Sequence, residues 1–342
     1  MKSKKKNSVI IIGEIGLNHN GKINVAKKMI DLASKAGVDI IKFQVAVPEE
    51  VKLPNAPLAN YQKKNIKTKM SSLKLSKKLH LKFSEIIQIQ KYIKKKNKLF
   101  LASAFDIKSL KFIKQIGCKS IKIPSGEINN YLYLEYCSKN FKTIFLSTGM
   151  SNLEDIKNAI KILKKSKKIK KIYIMQCNTQ YPSPVEDVNL NAMINIGKKF
   201  NLSYGLSDHS LGIECSLAAV AMGAKVIEKH FTLNKNKSGP DHICSIIPKE
   251  LEKLCSSVRN IEKALGDGKK KVSKSELENK KIVRKGVYFV RDMKKNQKIK
   301  LKDLGVFRPE NNFSPFLIRK VVGNKINKDV KKFQPVNKNL FN

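Results

Sequence analysis

Short apolar runs rich in Ile, Val and Phe alternate with amphipathic stretches over the first three quarters of the chain. The apolar runs predict eight β-strands, at residues 9–12, 40–43, 99–103, 120–123, 143–147, 172–176, 203–206 and 226–230. The amphipathic stretches predict eight helices, at residues 23–36, 83–95, 107–116, 130–138, 153–163, 191–199, 213–222 and 249–265. Eight strand–helix units in succession predict an α/β fold, a (β/α)8 TIM barrel, because a closed parallel barrel buries such strands on both faces.

The character of the sequence changes after Leu265, where a Gly-Asp-Gly turn is followed by three lysines. We predict the barrel over residues 1–267, a linker over 268–283 and a small β-rich domain over 284–342. A domain of about 60 residues is near the lower limit for independent stability. We therefore expect this second domain to lean on another surface.

Basic residues outnumber acidic ones by 70 to 27, a formal net charge of +43. Such an excess is typical of proteins that bind nucleic acid or anionic membranes. Only five of the basic residues are Arg, however, and nucleic-acid recognition favours the forked guanidinium. We interpret the lysines as surface composition and expect neither nucleic acid nor a membrane as a partner. A basic polyanion-binding protein is the non-enzyme alternative.

Other global features argue against several classes of protein. No apolar run approaches the roughly 20 residues of a membrane helix, and the first 12 residues are too polar for a signal peptide. We therefore expect a cytoplasmic protein. Six cysteines without C-x-x-C spacing predict reduced, mostly buried thiols rather than disulfides or a zinc site.

The carboxyl ends of barrel strands meet at one rim, where barrel enzymes carry their chemistry. Lys42 and Lys122 lie on the second and fourth predicted strands, where a buried cation is costly unless it meets an anion. Ser125, Ser147 and Ser207 follow or end other strands and can offer hydroxyl donors to phosphate oxygens. These side chains predict a phosphate or phosphoenol pocket.

Histidines and acids at the same rim predict further chemistry. His209 and His230 come from the adjacent seventh and eighth strands, close enough to share one divalent metal ion. Glu14, Glu127 and Asp241 are candidates for proton transfer or for holding polar substrate groups.

Two other histidines are less informative. His19 lies in an Asn-His-Asn-Gly stretch that fits either a turn or a functional site. His80 lies in a lysine-rich helical stretch, and we interpret it as an ordinary polar residue.

Six ordered motifs resemble the sialic acid synthase family, which includes N-acetylneuraminate and N,N'-diacetyllegionaminate synthases. The motifs are residues 14–21 (EIGLNHNG), 42–44 (KFQ), 121–127 (IKIPSGE), 146–150 (LSTGM), 205–209 (GLSDH) and 228–233 (EKHFTL). In that family a (β/α)8 barrel condenses phosphoenolpyruvate with an N-acylated hexosamine, and a C-terminal antifreeze-like (SAF) domain follows. The resemblance implies the same fold and reaction here.

The resemblance also implies roles for individual residues. Those implied to hold phosphoenolpyruvate are Lys42, Lys122, Ser125, Ser147 and Ser207, with Ser103 and Thr179 nearby. The implied metal ligands are His209 and His230, and the expected ion is Mn²⁺, with Mg²⁺ and Co²⁺ as alternatives. Glu14 matches the catalytic carboxylate beside the attacking water, and the matches to sugar-side groups are Gln44, Tyr181, Glu127 and Asp241. The implied catalytic group is Glu14, Lys42, Lys122 and Glu127.

In this family the small domain of one subunit covers the barrel mouth of its partner in a domain-swapped homodimer. The resemblance implies that Arg308 contacts the acyl group of the sugar. The sequence departs from the usual pattern at Gln180, Gly286, Glu310 and Asn312, and the last two replace glycines. All four positions lie on the sugar or lid side, so they bear on which sugar is used.

The sequence leaves the sugar open. Our first expectation is N-acetylmannosamine, which would make the enzyme an N-acetylneuraminate synthase. The alternative is 2,4-diacetamido-2,4,6-trideoxymannose, the precursor of N,N'-diacetyllegionaminate, and a pseudaminate precursor is a weaker one.

Overall fold

The computed structural model describes residues 8–66 and 70–341, and it confirms the predicted barrel. Eight parallel strands pair in chain order, and the last closes against the first with Val226 opposite Ile10. The strands are Ile10–Gly16 (β1), Ile40–Val45 (β2), Leu99–Ala104 (β3), Ser120–Ile123 (β4), Thr143–Ser147 (β5), Lys171–Cys177 (β6), Ser203–Asp208 (β7) and Val226–His230 (β8). Strands β1, β2 and β7 run at least two residues further toward the rim than predicted, because polar residues such as Glu14 and Gln44 stay in the sheet.

The predicted helices are also present, with ends displaced by at most two residues. Within the described residues the helices are Ile23–Ala36 (α1), Pro48–Val51 (α2), Asn60–Ile66 (α3), Ser72–Leu79 (α4), Phe83–Lys95 (α5), Ile107–Gln115 (α6), Tyr131–Asn140 (α7), Leu153–Lys164 (α8), Leu190–Phe200 (α9), Glu214–Ala221 (α10), Pro248–Ala264 (α11) and Leu277–Val283 (α12). The sequence predicted neither α2 nor α3, whereas α4 lies in the lysine-rich stretch that it predicted to be helical; together with α5 these helices connect β2 to β3. We call the described residues 46–66 and 70–82 of this connection the β2–β3 segment.

The barrel core has two layers. The larger layer lies between strands and helices, whereas a smaller one fills the barrel with Ile12, Ile40, Leu101, Phe145, Met175 and Val226. Side chains two residues further along a strand share the same face. The next inward positions are therefore polar ones, among them Glu14, Lys42, Ser103, Ser147 and Glu228. Strand periodicity thus places an apolar plug beneath a polar floor.

The β2–β3 segment has a small apolar cluster of its own. Leu58, Leu75 and Leu79 are buried together, and Leu17 and Ile66 pack against them. Leu75 and Leu79 are four residues apart and therefore lie on one face of α4.

The second compact unit begins at Asp267 and contains α12 and one antiparallel strand pair. The strands are Gly286–Phe289 (β9) and Leu304–Phe307 (β10). A separate apolar cluster, which includes Val287, Phe289 and Leu304, forms its core. The predicted linker, residues 268–283, includes α12, and the predicted boundaries stay predictions.

The departures in the loop after β10 have local explanations. Neither Glu310 nor Asn312 has a positive φ, so the loop needs no glycine at either position. A Cβ added at Gly286 would lie 2.5 Å from Asn311 Cγ, and Asn311 Nδ2 donates to Val287 O at 2.7 Å. Gly286 therefore makes room for the asparagine that binds β9.

The six cysteines are free thiols in the structure, and all but Cys215 are buried, in line with the predicted burial. Within residues 8–66 and 70–341, helices long and apolar enough to cross a membrane are absent.

Candidate active site

A cavity of about 600 Å³ opens at the carboxyl ends of the strands. Most of the predicted site residues line it: Lys42, Gln44, Ser103, Lys122, Ser125, Ser147, Thr179, Tyr181, Ser207, His209, His230 and Asp241. These residues come from seven strands or the loops after them, so the barrel geometry alone brings them together.

Two lysines and two carboxylates form a buried charge cluster on the cavity floor. Lys42 Nζ lies 3.0 Å from Glu14 Oε2 and 3.6 Å from Glu228 Oε1. Lys122 Nζ donates to Glu228 Oε1 at 2.7 Å, and Ser207 Oγ donates to the same oxygen at 3.0 Å. Glu228 thus ties together three residues predicted to bind phosphoenolpyruvate. We refer to Glu14, Lys42, Lys122 and Glu228 as the charge cluster.

Sequence reasoning missed Glu228 as a site residue. It lies two positions before His230 on β8, so the alternation of a strand places both side chains on the inner face. That alternation was the available signal.

The charges of this cluster set the ionisation of its members. Although burial alone would raise the pKa of Glu228, the two lysines lower it to about 2. Burial alone would lower the pKa of Lys42, but Glu14 and Glu228 raise it. Burial raises the pKa of Glu14 and lowers that of Lys122. Glu228 is therefore a fixed anion, whereas Glu14 is the carboxylate suited to exchange a proton.

Hydroxyl and backbone donors lie next to the charge cluster. Lys42 Nζ is 3.4 Å from Ser103 Oγ. Ser125 Oγ accepts from Gly149 N at 2.9 Å and lies 3.1 Å from Cys177 Sγ. Together with the lysines, these groups can bind an anion with several oxygens, such as a phosphate.

The two predicted metal ligands are neighbours, with His209 directly after β7 and His230 at the end of β8. The ring centroids of His209 and His230 are 5.4 Å apart. His209 Nδ1 lies 2.6 Å from Asn178 O, so Nδ1 carries the proton and the lone pair is on Nε2. His230 Nδ1 is buried without a hydrogen-bond partner among the described residues.

Both histidines are suited to bind a metal as neutral imidazoles. Burial lowers the pKa of His209 to about 4 and that of His230 well below its ordinary value. In the part of the chain that the structure describes, groups of three or more His, Cys, Asp or Glu side chains placed to hold a metal are absent. The pair therefore fits an ion that takes its other ligands from water and substrate.

A row of aromatic rings leads from the histidines to the β2–β3 segment. Tyr181 packs on His209 with centroids 4.1 Å apart, and Tyr61 of α3 stacks on Tyr181 at 4.9 Å. Asn65 Nδ2 donates to Tyr181 O and Pro240 O, at 3.3 and 2.8 Å. No sequence pattern indicates Tyr61, because α3 is short and has no clear apolar periodicity.

Three predicted site residues do not line the cavity. Glu14 is fully buried beneath it and accepts from Gln44 Nε2 at 3.3 Å. Glu127 accepts from the side chain of Asn130 at 2.8 Å, at the start of α7. Arg308 is exposed and belongs to the second unit. The roles assigned to these residues stay predictions.

His80 was interpreted as an ordinary polar residue, and this interpretation stays a prediction. It lies at the end of α4 and lines the cavity. His80 Nδ1 lies 2.9 Å from Ser76 O, and its buried Nε2 has no partner among the described residues. The neighbouring His19 is buried and stacks on Phe43.

Comparisons with known proteins place this chain in a family. The family model described as "NeuB family" matches residues 29–270. An N,N'-diacetyllegionaminic acid synthase of Campylobacter jejuni is 44% identical over 94% of this chain and 97% of its own length. A protein of the same name from Legionella pneumophila is 36% identical over 92% of this chain and 90% of its own length.

A solved structure is similar as well. The N-acetylneuraminic acid (sialic acid) synthetase of Leptospira borgpetersenii, in complex with citrate, is 37% identical with a TM-score of 0.71. The match covers 80% of this chain and 90% of that chain.

Proposed function

This chain belongs to the NeuB family, and from that premise we propose that it condenses phosphoenolpyruvate, 2,4-diacetamido-2,4,6-trideoxymannose and water into N,N'-diacetyllegionaminate and phosphate. The names of the Campylobacter and Legionella relatives support this sugar. Our first expectation from sequence, N-acetylmannosamine, has less support from these two relatives. With either sugar the reaction is the same, a condensation with phosphoenolpyruvate.

The charge cluster is the single observation that carries the proposal. Lys42 and Lys122 are held by Glu228 in a cavity that also holds a pair of neutral histidines. In our proposal the phosphate and carboxylate of phosphoenolpyruvate bind the two lysines and the hydroxyls of Ser125, Ser147 and Ser207. The carboxylates of Glu14 and Glu228 hold these cations in place, and the anionic oxygens of the substrate add to that pairing.

The proposed reaction balances as follows. C3 of phosphoenolpyruvate attacks the aldehyde carbon of the open-chain sugar, a C–C bond forms, and the aldehyde oxygen takes up a proton. Water adds to the cationic C2, and Glu14 accepts its proton, in keeping with the raised pKa of Glu14. The bond between C2 and the phosphate oxygen then breaks as the C2 hydroxyl gives up its proton to the departing phosphate, which releases phosphate and leaves the 2-keto acid.

A divalent ion between His209 and His230, Mn²⁺ in our proposal, would polarise the sugar aldehyde when bound. The protein's own part is to hold that aldehyde beside Tyr181 and Asp241. Burial raises the pKa of Asp241 to about 7, so near neutral pH this group can donate or accept a hydrogen bond.

The test supplies phosphoenolpyruvate, Mn²⁺ and each hexosamine separately, and measures phosphate release and product mass. We expect the highest kcat/KM with the diacetamido sugar. Lys122→Met should lower kcat/KM at least about 100-fold, since a lost charged contact is worth several kcal/mol. Faster turnover of N-acetylmannosamine would reassign the sugar, and no turnover with any hexosamine would overturn the synthase proposal.

We also propose that the active form is a domain-swapped homodimer in which Arg308 meets the acyl group of the sugar. Sedimentation measures the oligomeric state of the full chain. Mixing Arg308→Ala protein with Lys122→Met protein should restore activity if the two residues act from different subunits, and no restoration would contradict the swap.

A further inference from the structure

The β2–β3 segment gives the cavity a wall that differs from the barrel floor. The floor is made of lysines, serines and histidines, whereas six aliphatic side chains line other parts of the same cavity. These are Leu17, Ala46, Val51, Ala59, Leu75 and Leu79. Four of them belong to helices α2 and α4 or to the connection between α2 and α3. An aliphatic lining of this kind favours methyl groups over hydroxyl groups.

The aliphatic lining is continuous with the small cluster around Leu58. Leu75 and Leu79 pack in that cluster and also line the cavity, so α4 has an apolar face with the cluster behind it. This cluster is separate from the large core between the strands and the helices. The wall is thus backed by packed side chains rather than by solvent.

Polar groups lie among these aliphatic side chains. Lys52 lines the cavity, and its Nζ donates to Ser72 Oγ at 2.7 Å. Gln62 also lines the cavity, and its Oε1 accepts from Ala59 N at 3.2 Å. An N-acetyl group needs such a mixed surface, because its carbonyl requires a donor and its methyl requires apolar contact.

The two candidate sugars differ at positions that such a wall can distinguish. The diacetamido sugar carries an acetamido group at C4 and a methyl at C6, where N-acetylmannosamine carries a hydroxyl and a hydroxymethyl. We propose that the β2–β3 segment forms the subsite for carbons 4 to 6, with Val51, Leu75 and Leu79 contacting the methyl groups and Lys52 donating to the C4 acetamido carbonyl. This inference rests on the proposed function and names the residues that select the sugar.

The experiment compares kcat/KM for the two sugars in the full-length protein. Val51→Thr keeps the shape of the side chain and places a hydroxyl in the wall, without touching the buried core. We expect the ratio of kcat/KM for the diacetamido sugar to that for N-acetylmannosamine to fall about 10-fold, a usual size for one apolar contact in a pocket. The matched control is Val272→Thr, an exposed valine outside the cavity, which should leave the ratio unchanged.

A second pair of variants examines α4 and Lys52. Leu75→Met conserves volume and should keep the ratio within about twofold, whereas Leu75→Asn should lower it. Lys52→Met keeps the aliphatic stem but removes the donor, and it should lower the ratio about 10-fold through a higher KM for the diacetamido sugar. Thermal melting of each variant shows whether the segment remains folded.

The outcomes separate this inference from the proposed function. If Val51→Thr and Lys52→Met turn over both sugars with the wild-type ratio, the subsite is overturned and the synthase stands. If none of the hexosamines supports phosphate release by the wild-type protein, both the subsite and the synthase proposal are overturned. A ratio that falls in the two variants and not in Val272→Thr supports the subsite.

Discussion

Glu228 shows how one buried residue can organise a site. Its Oε1 atom lies within 3.6 Å of both Lys42 Nζ and Lys122 Nζ. Removing one partner of a buried ion pair typically costs about 3–5 kcal/mol, because the other charge is left uncompensated. We expect Glu228→Gln to lower the free energy of unfolding by about 3 kcal/mol in the absence of ligand.

Phosphoenolpyruvate should partly restore this loss, since its anionic oxygens can compensate the same lysines. Thermal melts with and without the ligand measure this, and the rise in Tm should be larger in the variant than in the wild type. An equal rise in both proteins would mean that the lysines do not bind the ligand.

His19 predicts a dependence of stability on pH. Burial, and secondarily the neighbouring His80, lower its pKa from 6.5 to about 4. Between these values the unfolded chain binds a proton that the folded protein does not, so stability is lost as the pH falls from 6.5 toward 4. The shift corresponds to about 3 kcal/mol in full.

Urea unfolding of wild type and His19→Gln at pH 7 and pH 4.5 measures this loss. The variant should lose less stability between the two pH values than the wild type. Equal losses would show that His19 does not contribute to the dependence.

Most residues of the site could be predicted from the sequence, because strand alternation determines which side chains point into the barrel. Lys42, Lys122 and His230 lie on strands, so a correct strand assignment places their side chains inside the barrel. Glu228 obeys the same rule, because it lies two residues before His230 on β8. Tyr61 and His80 could not be found in this way, since a chain segment outside the sheet brings them to the cavity.

The β2–β3 segment makes one close backbone contact with the loop after β1, at Gly21. Gly21 has a φ of 71°, and a Cβ added there would lie 2.4 Å from Lys78 O at the end of α4. Gly21→Ala therefore combines an unfavourable backbone conformation with a clash against backbone, and it should displace α4. We expect a loss of at least about 2 kcal/mol in unfolding free energy, together with faster hydrogen exchange in α4.

Gly117→Ala is the matched control for this prediction. Gly117 has a φ of 86°, but an added Cβ meets no atom within 4 Å. The control should show only the conformational cost, of about 1 kcal/mol. Equal effects of the two substitutions would show that the contact between Gly21 and α4 is unimportant.

The sequence predicted elements well where long periodic patterns exist. The eight strands and the helices that follow them bury apolar faces at a regular period. This period can be detected even in a lysine-rich sequence. Helices α2, α3 and α4 contain four to eight residues, and lysines occur in α3 and α4. The small cluster around Leu58 includes residues of α3 and α4, so tertiary packing supports these two helices. Helices of four and seven residues, such as α2 and α3, contain too few turns to show an apolar period.

The net charge of +43 acts on the molecule as a whole. Within the cavity the charge cluster balances two lysines against two carboxylates, so the surplus of positive charge lies elsewhere. A field of this kind attracts anions to the protein from a distance and is screened by salt, with a Debye length of about 8 Å at physiological ionic strength. It should act on phosphoenolpyruvate and not on a neutral sugar.

We therefore expect kcat/KM for phosphoenolpyruvate to fall about threefold between 50 and 300 mM NaCl, while kcat stays constant. The KM of the neutral hexosamine serves as the internal control and should not change. Steady-state phosphate release over a salt series measures both quantities. If salt changes the kinetic constants for the two substrates equally, the effect lies in the structure of the protein. The lysine surplus then has no part in bringing the anion to the barrel.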